Sequence, residues 1–473
     1  MNEPGAFTAP ESGMSDDPEF YVDLGRKLWK RRRYTDAESS FALALDLDPA
    51  SATAHNNLGW AREAAGDDSA ALSHYAQAVE IDPGFSTARV NLAKLLGRTG
   101  HHQDALENWL ALVAAKPRDR TALGSLVDTA LRAGDLRTAA EYAERLALIY
   151  HGRQDDMPAA ARLRDETPLR MTIPKLRHDI EQFFYLQSHG VMLAETPELI
   201  KRYQRVVAAA AGRYASRDHW DMTETERLEI GSIYKRILHY RETPRVRRAL
   251  SDSWNGRNAE GVYLDHPLGL VVVDDFLSPD ALESLRLFCL ESTIWFANRY
   301  AYGRLGATFR RGFNCPLLLQ IAEELTAAFP VLIGNRHRLL QMWAFKYDAI
   351  QPTTSAHADF AAVNVNFWIT PDEANLDPKS GGMLIYDAEA PLSWDFDAYN
   401  RQGRRIGAFL REKSAQSIAV PYRSNRAVIF NSDLFHTTQP FRFRRGYENR
   451  RINVTLLYGS REKDVRHPRS TNN

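Results

Sequence analysis

Pro49, Pro83 and Pro117 stand 34 residues apart, and this fixed step constrains the fold more than any other feature of the chain. Ala37, Ala71, Ala105 and Ala139 keep the same step, as do Phe41, Tyr75 and Trp109. The pairs Leu24-Gly25, Leu58-Gly59 and Leu92-Ala93 follow it too. A small residue lets two antiparallel helices cross closely, the aromatic packs into the next unit, and the proline stops the second helix. The step predicts four helix pairs over 16–49, 50–83, 84–117 and 118–151. The last pair loses its aromatic at Ala143 and its proline at His151.

These three position classes at a constant step resemble the tetratricopeptide repeat over about 135 residues. The resemblance implies an all-α solenoid whose concave face binds a peptide or protein partner. Dimerising the chain or bracing a second domain are the competing uses of such an array.

A chain of 473 residues calls for two or three domains. Lys+Arg and Asp+Glu both number 60, so no global charge draws the protein to nucleic acid or anionic lipid. No apolar run reaches the length of a membrane span. The start, with Glu3, Glu11, Asp16, Asp17 and Glu19 but no Lys or Arg before position 20, has the wrong charge for a targeting peptide. Residues 1–15 read as a disordered lead-in and 463–473 as a flexible tail. Cys289 and Cys315 read as buried structural thiols. A cytoplasmic protein is expected, and its oligomeric state is left open.

From 152 to 262 the repeat stops. Pro158, Pro168 and Pro174 punctuate a link, and 180–186, 199–211 and 224–240 show helical periodicity. This reads as a helical connector capping the last apolar face of the solenoid. From 263 to 462 β-type runs dominate: 269–277, 339–347, 363–369, 382–386, 427–430 and 452–458. Ser278 and Pro279 open a helix, and a charged insert at 399–413 reads as another.

Inside this last region lie His357 and Asp359, one residue apart, with His436 much later. On an extended segment alternate side chains point the same way, so His357 and Asp359 can reach one metal. Two imidazoles and a carboxylate on one face of an octahedral ion are the ligand logic of non-haem Fe(II) oxygenases, which keep the opposite face open for a cosubstrate and O2. A lone His-x-Asp arises often by chance and needs support.

The support is a cation for a cosubstrate carboxylate. Arg450 and Arg451 open the run 450–458, and arginine offers a bidentate fork. Ile452, Val454 and Leu456 form one apolar face, leaving Arg451, Asn453 and Thr455 on the other, the lumen of a barrel. Arg451 is therefore the clamp for 2-oxoglutarate, with Arg450 as alternative. In 363–369 the same alternation puts Asn364, Asn366 and Trp368 on one face, lining either a cavity or a solvent edge. Tyr347 either offers its hydroxyl to the cosubstrate or is a core tyrosine.

His357-x-Asp359, His436 and Arg451, with Tyr347 upstream and Gly381-Gly382 between, resemble the Fe(II)/2-oxoglutarate-dependent dioxygenases, in particular the prolyl-hydroxylase-like branch. The resemblance implies a double-stranded β-helix (jelly-roll) with flanking helices over 263–462. It implies Fe(II) held by His357, Asp359 and His436, with 2-oxoglutarate chelated to it and its far carboxylate on Arg451. It also implies hydroxylation of a substrate C–H bond, since the carboxylate that halogenating relatives lack is present at Asp359. Fifteen positions separate His436 from Arg451, longer than usual in that branch. The whole chain thus reads as multidomain α + β: solenoid 16–151, connector 152–262, catalytic domain 263–462. The leading expectation is an oxygenase whose repeats recruit a polypeptide. A small-molecule oxygenase with a docking repeat, an inactive scaffold and a zinc hydrolase are the alternatives. Whether Arg304, Arg310 and Arg311 touch an acidic substrate is left open.

Overall fold

The computed structural model describes residues 15–152, 170–192, 196–213, 218–298, 303–352 and 354–461. The expected lead-in before residue 15, the tail at 463–473, and Pro158 and Pro168 of the link lie outside these residues. The chain forms two compact units, Met1–Ala133 and Gly134–Asn473.

The first unit holds helices α1 (Pro18–Lys30), α2 (Tyr34–Leu47), α3 (Ala52–Ala64), α4 (Asp68–Ile81), α5 (Ser86–Arg98), α6 (His102–Ala115) and α7 (Arg120–Ala133). Asp17, Ser51 and Asp67 accept from backbone N–H groups that the first turns of α1, α3 and α4 leave unpaired. The periodic small residues do what their spacing predicts. A Cβ on Gly25 would lie 2.4 Å from the Phe41 ring, and one on Gly59 would lie 2.9 Å from Tyr75. Each aromatic therefore sits on the glycine of its own pair, while Phe41 also joins Leu58 and Ala61 of the next pair. Gly66 and Gly100 turn the chain between paired helices at φ 84° and 88°, a left-handed conformation that glycine adopts without steric cost.

Helix α8 (Leu136–His151) completes the fourth pair in sequence but belongs to the second unit. The reason lies at the end of α8, where the His151 ring stacks on Phe296 with centroids 3.7 Å apart and Tyr150 lies beneath Arg311.

Strands β1 (Arg170–Met171) and β2 (Trp220–Asp221) pair around α9 (Ile173–Ser188) and α10 (Thr196–Arg213). A capping box at Thr223 and Glu226 starts α11, which ends at Ile230 rather than continuing to Tyr240. Lys235, in the left-handed region at φ 56°, turns the following segment out of the helical path. Within the second unit α9 packs on the strand-rich region, where Gln182 donates to the carbonyls of Leu290 and Ser292 at 3.0 Å each.

The strand-rich region begins with α12 (Gly256–Asp265), β3 (Leu270–Val273) and α13 (Pro279–Glu291). Then come β4 (Leu305–Thr308), α14 (Pro316–Ala328), β5 (Leu339–Lys346), β6 (Ile350–Gln351), β7 (Ala361–Trp368) and β8 (Met383–Glu389). The predicted insert is two short helices, α15 (Phe396–Asn400) and α16 (Gly403–Glu412). Strands β9 (Ser417–Val420), β10 (Ala427–Asn431), β11 (Leu434–Thr438), β12 (Phe441–Arg442) and β13 (Ile452–Ser460) finish it. Six strands form one sheet in the order β3-β10-β7-β13-β5-β4, and a second sheet runs β11-β8-β9. Every strand pair is antiparallel. The two sheets share one apolar cluster, in which Met383, Ile385, Val420 and Leu434 of the small sheet meet Trp368, Val428 and Phe430 of the large one.

Candidate metal and carboxylate site

The register of the large sheet fixes its faces. Trp368 lies opposite Asn453, Asn366 opposite Thr455, and across β13 these face Phe345 and Trp343. Residues directly opposite point to the same side, so Asn366, Trp368, Asn453, Thr455, Trp343 and Phe345 form one inner row. Lys346, between Phe345 and Tyr347, takes the outer face, where its ammonium reaches the Cys289 carbonyl at 2.8 Å and the Tyr447 hydroxyl at 2.6 Å.

His357 and His436 form an antiparallel bridge with both backbone hydrogen bonds made, 3.0 and 2.8 Å. That bridge seats the two rings with centroids 4.5 Å apart. One ligand atom from each of His357, Asp359 and His436 lies within 4.8 Å of the others. Nδ1 of His436 faces the Leu434 carbonyl at 3.0 Å and Nδ1 of His357 faces the Ser355 carbonyl at 3.3 Å. At His357 the carbonyl partner at Nδ1 places the proton there and leaves Nε2 with its lone pair, while Nε2 of His436 faces Oδ2 of Asp359 at 3.6 Å. Burial, then the neighbouring His436, pulls His357 down to about 4, so its imidazole is neutral at pH 7. Burial pushes the Asp359 carboxyl up, but hydrogen bonding and charge from His436, with His357 and Asn364, outweigh it and hold the group below the ordinary range.

Two supports around this cluster were not read from the sequence. Asn364 donates to Oδ2 of Asp359 at 2.8 Å and fixes the carboxylate. Ala358, between the two ligands, donates its N–H to the Tyr399 carbonyl at 3.0 Å and accepts from the Asn400 amide at 2.8 Å. The charged insert thus grips the backbone of the ligand segment. The Asn-x-Asn alternation was a signal for Asn364; a contact spanning 358 to 400 left none.

Arg450 and Arg451 part company. Arg450 turns outward to Glu181 of α9 at 2.9 Å. Arg451 turns inward, 1% exposed, with Nε donating to the Gly381 carbonyl at 2.8 Å and an N–H to Oδ1 of Asn453 at 3.4 Å. Its guanidinium lies 4.9 Å from the Tyr347 ring centroid and between 5.3 and 5.8 Å from those of Phe441, Trp368 and Tyr422. Gly381 and Gly382 make the approach possible: Gly381 has φ 82°, and a Cβ on Gly382 would lie 1.8 Å from the Val420 carbonyl oxygen. Tyr347 is buried beside Arg304 and Arg451; burial raises its phenol, but the two cations pull it below its ordinary value.

The inner row bears the marks of a polar ligand. Among the described residues no carboxylate pairs with Arg451, and burial draws this guanidinium below its ordinary value. Asn364 Oδ1, Asn366 Oδ1 and Trp368 Nε1 are buried without a hydrogen-bond partner. Buried polar atoms are seldom left so; an anion would meet the Trp368 N–H donor and the Arg451 cation, whereas the two amide oxygens call for a donor such as a hydroxyl or water. Asn366 and Asn453 both donate to the Thr455 hydroxyl, at 2.9 and 3.5 Å, which fixes their amide planes. The residues present fit a divalent metal and an organic acid.

Residues 22–84 and 90–161 match the family model of the tetratricopeptide repeat. No curated protein matches the chain. Among solved structures, a crystal structure of MamA protein is 22% identical over 28% of this chain and 73% of its own, with TM-score 0.27. The first tetratricopeptide domain of Spaghetti (RPAP3), bound to the HSP90 peptide SRMEEVD, is 16% identical over 26% of this chain and 96% of its own, with TM-score 0.24. MamA from Desulfovibrio magneticus RS-1 is 14% identical over 43% of this chain and all of its own, with TM-score 0.27. The N-terminal region is therefore a tetratricopeptide-repeat array. No helix among the described residues is long and apolar enough to cross a membrane.

Proposed function

We propose that the C-terminal region is an Fe(II)- and 2-oxoglutarate-dependent dioxygenase, built as a double-stranded β-helix, that hydroxylates a substrate C–H bond. One observation carries the reading: a His/Asp/His cluster and a buried Arg451, without a carboxylate partner among the described residues, belong to one fold, with the unsatisfied Trp368 N–H on the inner row. His357, Asp359 and His436 would hold the metal, and Arg451, with Tyr347, Asn453 and Asn366 beside it, would hold the far carboxylate of the cosubstrate. Bound there, iron and 2-oxoglutarate with O2 supply the oxidising power, releasing succinate and CO2. The chain's own residues orient the acid, keep the His357 imidazole unprotonated and line the row with aromatic side chains that exclude water. A zinc hydrolase would leave Arg451 without a task.

The tetratricopeptide repeats would recruit a polypeptide to this centre, since stacked helix pairs expose a concave surface suited to extended peptides. Anaerobic addition of Fe(II) and 2-oxoglutarate should give a weak visible charge-transfer band, lost in His357→Ala and weakened in Arg451→Ala. A wild-type protein without that band sinks the dioxygenase reading. Succinate formed without added substrate excludes an inactive scaffold. Peptide pull-down by the full chain, compared with a variant whose concave-face residues in 16–133 are changed, separates recruitment from bracing.

A further inference from the structure

A cleft of about 350 Å³ opens at the edge of the large sheet, lined by Arg170, Lys235 and Arg311, by the amide of Asn298 and by Thr308. Among the described residues no acidic side chain lines it. Among the described residues none of these three cations forms an ion pair. We propose that this cleft binds an anionic group, a phosphate or clustered carboxylates, through Arg170, Lys235 and Arg311.

The cations are positioned rather than merely present. The Lys235 ammonium is held by Oδ1 of Asn298 at 3.0 Å, and the Lys235 carbonyl is held by Nδ1 of the buried His151 at 2.8 Å. Its backbone keeps the left-handed conformation, at φ 56°, that a side chain adopts only when the surroundings impose it. The Arg311 guanidinium is stacked on the Tyr150 ring, 5.0 Å from its centroid, which leaves its N–H edge for an acceptor. Like charges gathered around one cavity repel one another. Burial and the charges of Lys175, Arg311 and Arg170, opposed in part by Asp179, bring Lys235 down to about 7. An anion relieves that repulsion, and prearranged donors bind it with little ordering cost.

Thr308 is the register partner of Trp343, so one wall of the cleft lies on the same side of the sheet as the inner row. That placement suits an acidic polypeptide as the source of the anion, although the inference does not depend on the oxygenase reading. The same chemistry is met by a small free anion.

The full chain, titrated calorimetrically at constant ionic strength, tests it with three probes: inorganic phosphate, hexaglutamate and, as control, hexaserine. Saturable binding of phosphate or hexaglutamate and none of hexaserine is expected. Arg311→Gln, an exposed position, should weaken it about tenfold, the effect of losing one charge-assisted contact. Lys235→Gln should weaken it further while the melting temperature shows the fold intact. Hexaglutamate bound at least tenfold more tightly than phosphate assigns the anion to a polypeptide; the reverse assigns it to a small solute. Binding that Arg311→Gln and Lys235→Gln leave unchanged, or no binding beyond chloride, overturns the proposal.

Discussion

Two adjacent arginines show how much one strand position decides. Arg450 neutralises Glu181 on the outside of the sheet, whereas Arg451 sits among four aromatic rings with no carboxylate beside it. Removing each should therefore do opposite things. Arg450→Met should destabilise the protein by about 1–3 kcal/mol, through a lost charge-assisted hydrogen bond, and leave the Fe(II)–2-oxoglutarate band intact. Arg451→Met removes an uncompensated buried charge. It should hold or raise the urea midpoint while cutting 2-oxoglutarate affinity at least tenfold. Equal losses of stability in the two variants would make Arg451 a structural residue. At this scale strand alternation is legible in sequence, because side chains on neighbouring positions must face opposite ways. It is why Arg451, Asn453 and Asn366 could be grouped before any contact was known.

Among the elements, the insert of α15 and α16 changes most in meaning. Read from the sequence it is a charged helical insert; in the structure Tyr399 and Asn400 hold both backbone groups of Ala358. Asn400→Ala should weaken Fe(II) binding about tenfold, the scale of an outer-shell support, with the unfolding midpoint within about 1 kcal/mol of wild type. Fluorescence quenching by Fe(II) under anaerobic conditions measures the first, and urea titration the second. Unchanged iron affinity would show that the ligand segment holds its shape alone. In the repeats the small residues are the sensitive points. Gly59→Val would drive a branched side chain into the Tyr75 ring, already 2.9 Å from where a Cβ would stand. A loss of about 1–3 kcal/mol is expected, read as a lower melting temperature of the helical signal. The repeat was legible because its contacts are local and recur at one step. The turn glycines Gly66 and Gly100 carry the same step and went unread, since only the backbone angle reveals their task.

For the whole molecule, acid should act chiefly on the second unit. His151 is buried against Phe296 and held down to about 3, His337 to about 4, and His178 well below its ordinary value, in each case by burial first. These groups are neutral when folded and protonate at about 6.5 when unfolded. The unfolded chain therefore takes up protons that the folded one refuses. Their contribution to stability is complete above pH 6.5 and is lost as pH falls from there toward the folded values. Each group costs up to about 1.4 kcal/mol per pH unit in that window. His151→Gln keeps a donor for the Lys235 carbonyl and should flatten the slope of stability against pH by one such step between pH 6.5 and 5. Urea midpoints across that range would measure it, and an unchanged slope would mean that His151 is protonated in the folded protein.

By itself, the sequence determined what is repetitive or alternating: the helix pairs, the main strands, and their inner and outer faces. Those follow from neighbours a few residues apart and from a period the chain repeats. Only the tertiary structure decided that α8 joins the second unit, that Ala358 is gripped by Tyr399 and Asn400, and that Arg170, Lys235 and Arg311 meet in one cleft. Those contacts join segments distant in the chain, and no local spacing encodes them. They form because burying apolar surface brings such segments together, and polar groups near the resulting contacts then find partners there, as Arg451 does at Gly381 and Lys235 at Asn298.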